Sequence, residues 1–240
     1  LALAALVGCA APSPTASPLR LPTRIPATPT PAPTPTPIPT EVSPYYEEGL
    51  AYREAGDAER ALQSLTWAIQ LAPDFAPAYV ARGAIYLAQG KLYSALAEAN
   101  AALEADPANA DAHALRGEIL RMQERHYLAL KAFGQAVELA PSLKPETFRS
   151  RWLVARALHD SDHMLELSHE YAQANPDDPL HHYYLGWALV ERGEPQAAAK
   201  ALARGIEAAS DPPALLWFAL GWAYLEYPFW QEAITSFETT

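Results

Sequence analysis

Residues 76–109 read APAYVARGAIYLAQGKLYSALAEANAALEADPAN, and this stretch of 34 residues is the unit from which most of the chain is built. Gly83 has counterparts 34 residues away on either side, at Gly49 and Gly117. The same step relates three further sets of small or helix-breaking residues, namely Ala61, Ala95 and Ala129, then Ala68, Ala102 and Ala136, then Pro73, Pro107 and Pro141. Such a period indicates a repeat architecture, in which each unit buries its apolar face against its neighbours.

The pattern within this unit predicts two helices joined by a short turn. Pro77 lies near the start of the first helix, where a missing N–H is tolerated, and Gly90 is placed to end that helix with a positive φ. The second helix is expected to end at Asp106, because a residue before proline disfavours the α conformation. Gly83 weakens a helix by roughly 1 kcal/mol relative to Ala, so we expect Ala95 of the paired helix to approach it closely.

The units resemble the tetratricopeptide repeat, whose pattern over 34 residues is W-x₂-L-G-x₂-Y, then A-x₃-F, then P. The last unit carries this pattern as far as the chain runs, in Trp217, Leu220, Gly221, Tyr224, Ala233 and Phe237. The fourth unit departs from it, because Trp152 stands at the glycine position and Met164 at the alanine position. The resemblance implies an all-α fold, a right-handed α-solenoid of about five to six helix–turn–helix repeats that follows a disordered linker.

The expected organisation has three parts. Residues 1–8 are a truncated lipoprotein signal peptide, residues 9–43 are a lipidated cysteine and a Pro/Thr-rich linker, and residues 44–240 are the solenoid. The repeats are placed near residues 42–75, 76–109, 110–143, 144–178, 179–213 and 214–240, of which the fourth is a divergent helical hairpin and the last is incomplete.

The first ten residues form an apolar run that ends in small side chains, as the end of a signal peptide does. The tetrad Leu6-Val7-Gly8-Cys9 resembles a bacterial lipobox. In that family the peptide is cut before the cysteine, which is then acylated, so the resemblance implies lipidation of Cys9. The alternative is an incidental Leu/Ala-rich tail with a free cysteine. No Met and no basic stretch precede Leu1, so we expect the chain to be a fragment that lacks its start, and its end as well.

Pro and Thr dominate the stretch from Pro12 to Pro39, whose only charges are Arg20 and Arg24. This composition favours polyproline II and cannot bury a core. At full extension such a linker is on the order of 100 Å long. Tracts of this kind are also compatible with O-glycosylation.

Charge and motifs argue for binding rather than catalysis. The net charge of −11 disfavours nucleic acid, which attracts a basic surface. The chain contains no phosphate-binding loop, no cysteine pair and no nucleophile motif. His159 and His163 have the i, i+4 spacing of metal ligands, but we interpret the residues between them as a turn with Asp162 as a helix N-cap. We therefore expect no enzyme, no cofactor and no metal site.

The resemblance also implies that the first helix of each repeat lines a concave groove. Beside the packing residues, the fifth and sixth repeats carry a second apolar stripe at i, i+4, i+7, and the first repeat carries a shorter one. These stripes are Tyr183, Trp187 and Val190, then Phe218, Trp222 and Leu225, then Tyr46 and Leu50. They are candidates for a partner site, and the alternative is that they belong to the core. The carboxylates of Glu191 and Glu226 beside the stripes suggest a partner that carries Lys or Arg.

A known mode of peptide binding in this family is not expected here. Chaperone-binding members hold a terminal carboxylate with Lys, Arg and Asn on the groove helices. The matching positions in this chain are Tyr46, Leu50, Ala81, Asp111 and Leu115, none of which is a cation or an amide.

The sequence thus predicts a membrane-anchored lipoprotein that acts as a protein–protein interaction adaptor or scaffold in the bacterial cell envelope, on the extracytoplasmic side. Its expected partners are a protein or peptide segment in the groove and the membrane through the lipid on Cys9. One alternative is the partner-binding arm of a longer enzyme whose catalytic domain lies beyond residue 240. Another is a structural surface protein.

Overall fold

The computed structural model describes residues 41–226 and residue 238. Residues 41–226 form eleven α-helices and one short 3₁₀ helix, Pro141–Leu143, without a β-strand. The helices are α1 Ser43–Glu54, α2 Ala58–Leu71, α3 Ala76–Ala88, α4 Leu92–Ala105, α5 Ala110–Met122, α6 His126–Leu139, α7 Lys144–Ala157, α8 Ser161–Ala174, α9 Leu180–Glu191, α10 Pro195–Ala208 and α11 Ala214–Glu226. The predicted acylation site at Cys9 and most of the Pro/Thr-rich linker lie outside the described residues, as do Ala233 and Phe237.

Helices α1–α10 form five successive pairs, and α11 is the first helix of a sixth. The two helices of each pair pack against each other, and the second helix of a pair also packs against the first helix of the next. The predicted all-α solenoid is therefore confirmed. Its core includes an alanine at the same place in four of the second helices, and Ala61, Ala95, Ala129 and Ala198 are all fully buried.

A small residue on the first helix faces a large one on the second in three of the repeats. A β-carbon added at Gly117 would lie 2.8 Å from Phe133 Cδ1, and one added at Gly186 would lie 2.5 Å from Leu202 Cγ. Real β-carbons essentially never approach other atoms that closely, so the glycine is required by the packing rather than by its backbone angles. The favourable packing at this close approach offsets the roughly 0.5–1 kcal/mol that a glycine costs in the middle of a helix.

In the second repeat, the space opposite the glycine is filled by a side chain of the next repeat. Its second helix carries Ala99 where α6 has Phe133. A β-carbon added at Gly83 would lie 3.5 Å from the carbonyl oxygen of Ala95, which confirms the predicted approach, but only 2.8 Å from Leu115 Cδ2 on α5. The bulk that fills the space above this glycine is therefore supplied from α5.

The fourth repeat inverts the small–large arrangement. Trp152 occupies the glycine position of α7 and is only 2% exposed, while the α8 residue that corresponds to Phe133 is Ser168, which is equally buried. Three aromatic contacts join α7 to α9, with ring centroids 4.8 Å apart for Phe148 and Tyr184, 5.3 Å for Trp152 and Tyr184, and 6.1 Å for Trp152 and Tyr183. No Cα atom of α7 lies within 8 Å of one in α9. Aromatic side chains thus lie between α7 and α9, whereas the first helices of the other neighbouring repeats pack against each other directly.

The turn inside each repeat requires a left-handed residue. The predicted positive φ of Gly90 is confirmed at 72°, and Gly56 and Gly193 adopt the same conformation. Glu124 and His159 occupy the equivalent positions with φ of 59° and 53°. A non-glycine residue is strained in this region of φ/ψ space, so these two turns carry a local cost.

The prediction that Asp162 caps α8 is wrong. The N-cap is Asp160 and the helix begins at Ser161, two residues earlier than a cap at Asp162 would place its start. The side chain of Asp160 accepts a hydrogen bond from the N–H of His163 at 3.1 Å. Asp57 caps α2 in the same way, accepting from the N–H of Arg60.

Candidate partner-binding groove

The apolar stripes of the fifth and sixth repeats meet in space. The side chains concerned, called the aromatic patch below, are Tyr183, Trp187, Phe218 and Trp222. The rings of Trp187 and Trp222 are 6.4 Å apart between centroids and so connect α9 to α11. Tyr183 lies 6.5 Å from Trp187, and Phe218 lies 6.4 Å from Trp222, both edge to face. Centroid separations of 4.5–7 Å are those at which aromatic pairs attract.

The aromatic patch has a buried part and an exposed part. Trp187 is only 7% exposed, whereas Phe218 and Trp222 are 41% and 40% exposed. Tyr183, Val190 and Leu225 are half-buried. The two interpretations left open by the sequence therefore apply to different residues: Trp187 belongs to the core, and the two aromatic side chains of α11 present apolar surface to solvent.

Tyr46 and Leu50 are separate from this patch. Both are half-buried on α1, which among the eleven described helices packs against α2 and α3 alone. Tyr46 packs edge to face on Phe75 at 5.1 Å, and burial raises the pKa of its hydroxyl. The structure therefore places this predicted part of the site several repeats away from the aromatic patch.

A cation lies at the centre of the groove helices. The guanidinium of Arg156 on α7 lies 4.3 Å from the ring centroid of Trp187 and 5.7 Å from that of Trp152. Both distances are within the range of cation–π attraction, and Trp is the strongest partner for it. Sequence reasoning missed this contact, because the tetratricopeptide pattern has glycine where Trp152 stands and therefore gives no indication of an aromatic ring there.

The neighbouring helix α5 carries a neutralised pair instead. Arg121 donates two hydrogen bonds to Glu118, from Nε to Oε2 at 3.0 Å and from Nη2 to Oε1 at 2.5 Å. Burial raises the pKa of Glu118, but the hydrogen bonds from Arg121 and Ser150 outweigh it, so the pKa of this carboxyl is lowered overall. The side chain is therefore ionised, and the α5 part of the groove has little net charge.

Comparison with known protein families agrees with the architecture of successive helix pairs. A model described as a TPR repeat matches residues 49–90, and a second, described as a tetratricopeptide repeat, matches residues 85–144, 167–213 and 183–239. The second model alone spans more than half of the chain. The chain belongs to the tetratricopeptide repeat family. Residues 145–166, which form most of the divergent repeat, lie outside all of the matched ranges.

Solved tetratricopeptide structures superpose on the chain at low sequence identity. MamA protein is 18% identical with a TM-score of 0.61, over 70% of this chain and 91% of that one. PilF of Pseudomonas aeruginosa is 20% identical with a TM-score of 0.60, over 81% and 88% of the two chains. YrrB, described as a TPR protein with an unusual peptide-binding site, is 22% identical with a TM-score of 0.60, over 73% and 90%. At these identities the likeness shows the fold. No curated protein matches the chain.

The tetratricopeptide fold suggests a protein-interaction adaptor. His159 Nδ1 lies 2.8 Å from Oε2 of Glu191, so this histidine contacts a carboxylate of α9. Within residues 41–226 no group of three or more His, Cys, Asp and Glu side chains could hold a metal ion. No helix in that range is long and apolar enough to cross a membrane.

Proposed function

We propose that this tetratricopeptide repeat protein is a lipid-anchored adaptor or scaffold of the bacterial cell envelope, which docks a segment of another protein and carries out no catalysis itself. The observation that carries the docking part is the exposure of Phe218 and Trp222 beside the buried Trp187. Large aromatic side chains are the usual anchors of protein interfaces, especially near buried neighbours that hold them rigid.

The anchor part of the proposal rests on the sequence. The tetrad ending at Cys9 supports acylation, and the Pro/Thr-rich stretch after it supports a tether that places the solenoid on the extracytoplasmic side of the membrane. A tether raises the local concentration of the docking surface near membrane-bound partners. The mechanism is therefore display: the lipid fixes the position, the linker sets the reach, and the groove selects the partner.

Selection of peptides on the full chain tests the docking part. Random 12-residue peptides displayed on phage are selected against the protein, and the best are synthesised and measured by fluorescence polarisation. Trp222→Ala should weaken their binding by about 30-fold, the typical loss for a central aromatic anchor. The matched control is Tyr127→Ala, because Tyr127 is an exposed aromatic on α6, a second helix of a repeat. Equal binding by both variants, or no selected peptide at all, would overturn the docking site.

A further inference from the structure

The fourth repeat contributes a different surface to the groove helices. Arg149, Leu153 and Arg156 on α7 have the same i, i+4, i+7 spacing as Tyr183, Trp187 and Val190 on α9. Arg149 and Leu153 are exposed, and Arg156 is half-buried. Where the fifth and sixth repeats present aromatic rings, the fourth therefore presents two guanidinium groups around one aliphatic side chain.

These two arginines, called the arginine pair below, lack an acidic partner. Among residues 41–226 and 238, no carboxylate oxygen lies within 4.0 Å of a nitrogen of Arg149 or Arg156. By contrast, the neighbouring Arg121 and Arg151 are both paired with glutamates at 2.6 Å or less. The two arginines lie seven residues, about two helical turns, apart on α7, and neither has a carboxylate that an acidic partner would have to displace.

Arg156 is also held in place. Its guanidinium lies over the ring of Trp187, which belongs to the aromatic patch, and also close to the ring of Trp152. A planar guanidinium that is fixed by aromatic faces keeps its five N–H donors free for a carboxylate, which it binds through two parallel hydrogen bonds. Because little side-chain entropy remains to be lost, such a group is prepared for binding before the partner arrives.

We propose that the groove binds an extended protein segment in which Asp or Glu side chains contact the arginine pair and an adjacent aromatic or large aliphatic side chain packs on Phe218 and Trp222. This rests on the proposed function and specifies its partner. It differs from the expectation of a basic partner, which rested on two carboxylates. Glu226 is exposed, but Glu191, the one beside Trp187, is already engaged: its carboxylate is 2.8 Å from His159 Nδ1, and its side chain is only 19% exposed.

The peptide selection on the full chain provides the test. Selected peptides should combine Asp or Glu with Phe, Tyr, Trp or Leu. Exchange of their acidic residues for Asn or Gln should weaken binding by about 10-fold, as expected for the loss of charge-assisted hydrogen bonds. Arg149→Gln and Arg156→Gln should each weaken the original peptides by a similar factor and should barely affect the exchanged ones. Arg192→Gln is the matched control, because Arg192 is an exposed arginine already paired with Glu194.

Folding and binding effects are separated by the choice of variants. Arg156→Gln removes a contact with Trp187, so its thermal melt is compared with that of the wild type. Arg149→Gln changes only an exposed side chain and should melt like the wild type. Arg156→Lys keeps the charge but loses the planar fork, so we expect it to bind the acidic peptides less well than the wild type and better than Arg156→Gln.

The outcomes distinguish this inference from the proposed function. If the selected peptides are rich in Lys or Arg, or if both glutamine variants bind acidic peptides as the wild type does, the acidic partner is wrong. Trp222→Ala would still report on the docking site in that case. If the peptides bind Trp222→Ala and the wild type equally, or if no peptide is selected, both proposals are overturned together.

Discussion

Gly117 and Phe133 show how single residues set the spacing of the helices in this fold. The aromatic ring of one helix fills the space left by the missing side chain of the other, and the two helices approach until no void remains. Gly186 and Leu202 repeat the arrangement in the fifth repeat. At both positions, close packing against a large side chain of the second helix compensates for the low helix propensity of glycine.

Gly117→Leu and Gly134→Leu should change stability in opposite directions. A side chain at position 117 would overlap the ring of Phe133 and should lower the free energy of unfolding by roughly 1–3 kcal/mol. Gly134 lies in the middle of α6 with nothing within 4 Å of an added β-carbon, so the same change there should raise it by about 0.5–1 kcal/mol through helix propensity. Urea unfolding of the two variants measures both. A stable Gly117→Leu would show that the helices are not closely packed.

Trp187 and Trp222 should also respond differently to truncation. Trp187→Ala removes a buried side chain together with its contact to Arg156, and should cost about 3–5 kcal/mol of stability. Trp222→Ala removes a side chain that is 40% exposed, and should cost about 1 kcal/mol. Thermal melts of the two variants decide between them, and a loss of equal size in both would mean that Trp222 is also a core residue.

The division between these two tryptophans was beyond sequence reasoning. The i, i+4, i+7 spacing predicted that both lie on one side of their helices, and the structure brings them together. Burial also depends on the first helix of the preceding repeat. For α9 that helix is α7, where Trp152 differs in residue type from the repeat pattern. The repeat pattern predicts the burial of a side chain only where the neighbouring helix also follows that pattern.

At the level of helices and turns, the left-handed residue between the two helices of each repeat is the most constrained point. Glycine satisfies it at Gly56, Gly90 and Gly193, while Glu124 and His159 adopt it with a side chain present. The repeat pattern predicted the glycine turn, but in the third and fourth repeats the residue type gave no sign of the conformation. In those turns the packing of the two helices overrides local preference.

Exchange of the turn residues should therefore stabilise one repeat and destabilise another. The left-handed conformation of Glu124 costs about 1–2 kcal/mol, and Glu124→Gly removes this strain. Glycine also gains entropy in the unfolded chain, which offsets part of the benefit, so the free energy of unfolding should rise by up to about 1 kcal/mol. Gly90→Ala imposes the same strain on an equivalent turn and should lower stability by a similar amount. Both are measured by urea unfolding. A destabilised Glu124→Gly would mean that the side chain of Glu124 makes a larger contribution than its strain costs.

The two helices of the divergent repeat are joined by an ion pair that should make stability depend on pH. Arg151 donates to both oxygens of Glu170, at 2.6 and 3.2 Å, and Lys144 lies 3.5 Å from the same carboxylate. Burial raises the pKa of Glu170, but the hydrogen bonds from Arg151 and the charges of Arg151 and Lys144 lower it by more. A carboxyl with a lowered pKa in the folded state contributes stability above its unfolded pKa of about 4.3, and this contribution is lost as the pH falls through the folded value.

The change Glu170→Gln should therefore reduce stability at pH 7 and have a smaller effect at pH 3. Removal of one partner of a largely buried pair leaves Arg151 without its counter-charge, which should cost about 2–3 kcal/mol at pH 7. Glu207→Gln on the exposed side of α10 is the control. The comparison is made by urea unfolding at both pH values, and a loss of equal size at pH 3 would rule out the ion pair as its source.

For the whole molecule, the fold was largely predictable and the chemistry of its surface was not. The step between Gly83 and Gly117 fixes the unit length, and stacking of identical units follows from the apolar face that each leaves uncovered. The divergent repeat was predicted as a helical hairpin, but its packing was not, because Trp152 gives no indication of the neighbour that it will contact. That repeat also supplies the arginine pair, so the least regular part of the chain contributes most of the inferred specificity.

The proposed lipid anchor concerns the whole molecule, because it would determine where in the cell the solenoid operates. Expressed in a bacterium from its own gene, the protein should incorporate labelled palmitate and partition into detergent, and Cys9→Ala should abolish both. Two or more acyl chains anchor a protein stably, whereas one binds only marginally. The substitution should leave the thermal melt of the solenoid unchanged, which serves as the control. Wild-type protein that stays in the aqueous phase without label would contradict the anchor.

Site-specific photocross-linking tests most directly whether the exposed aromatic side chains of α11, Phe218 and Trp222, dock a protein segment. The photoreactive amino acid p-benzoylphenylalanine replaces either Phe218 in the groove or Tyr127 on α6, and each protein is irradiated with a peptide selected on the full chain. We predict a cross-link from position 218 that excess unlabelled peptide suppresses, and none from position 127. Cross-linking from position 127 alone, or equal cross-linking from both positions, would contradict the claim.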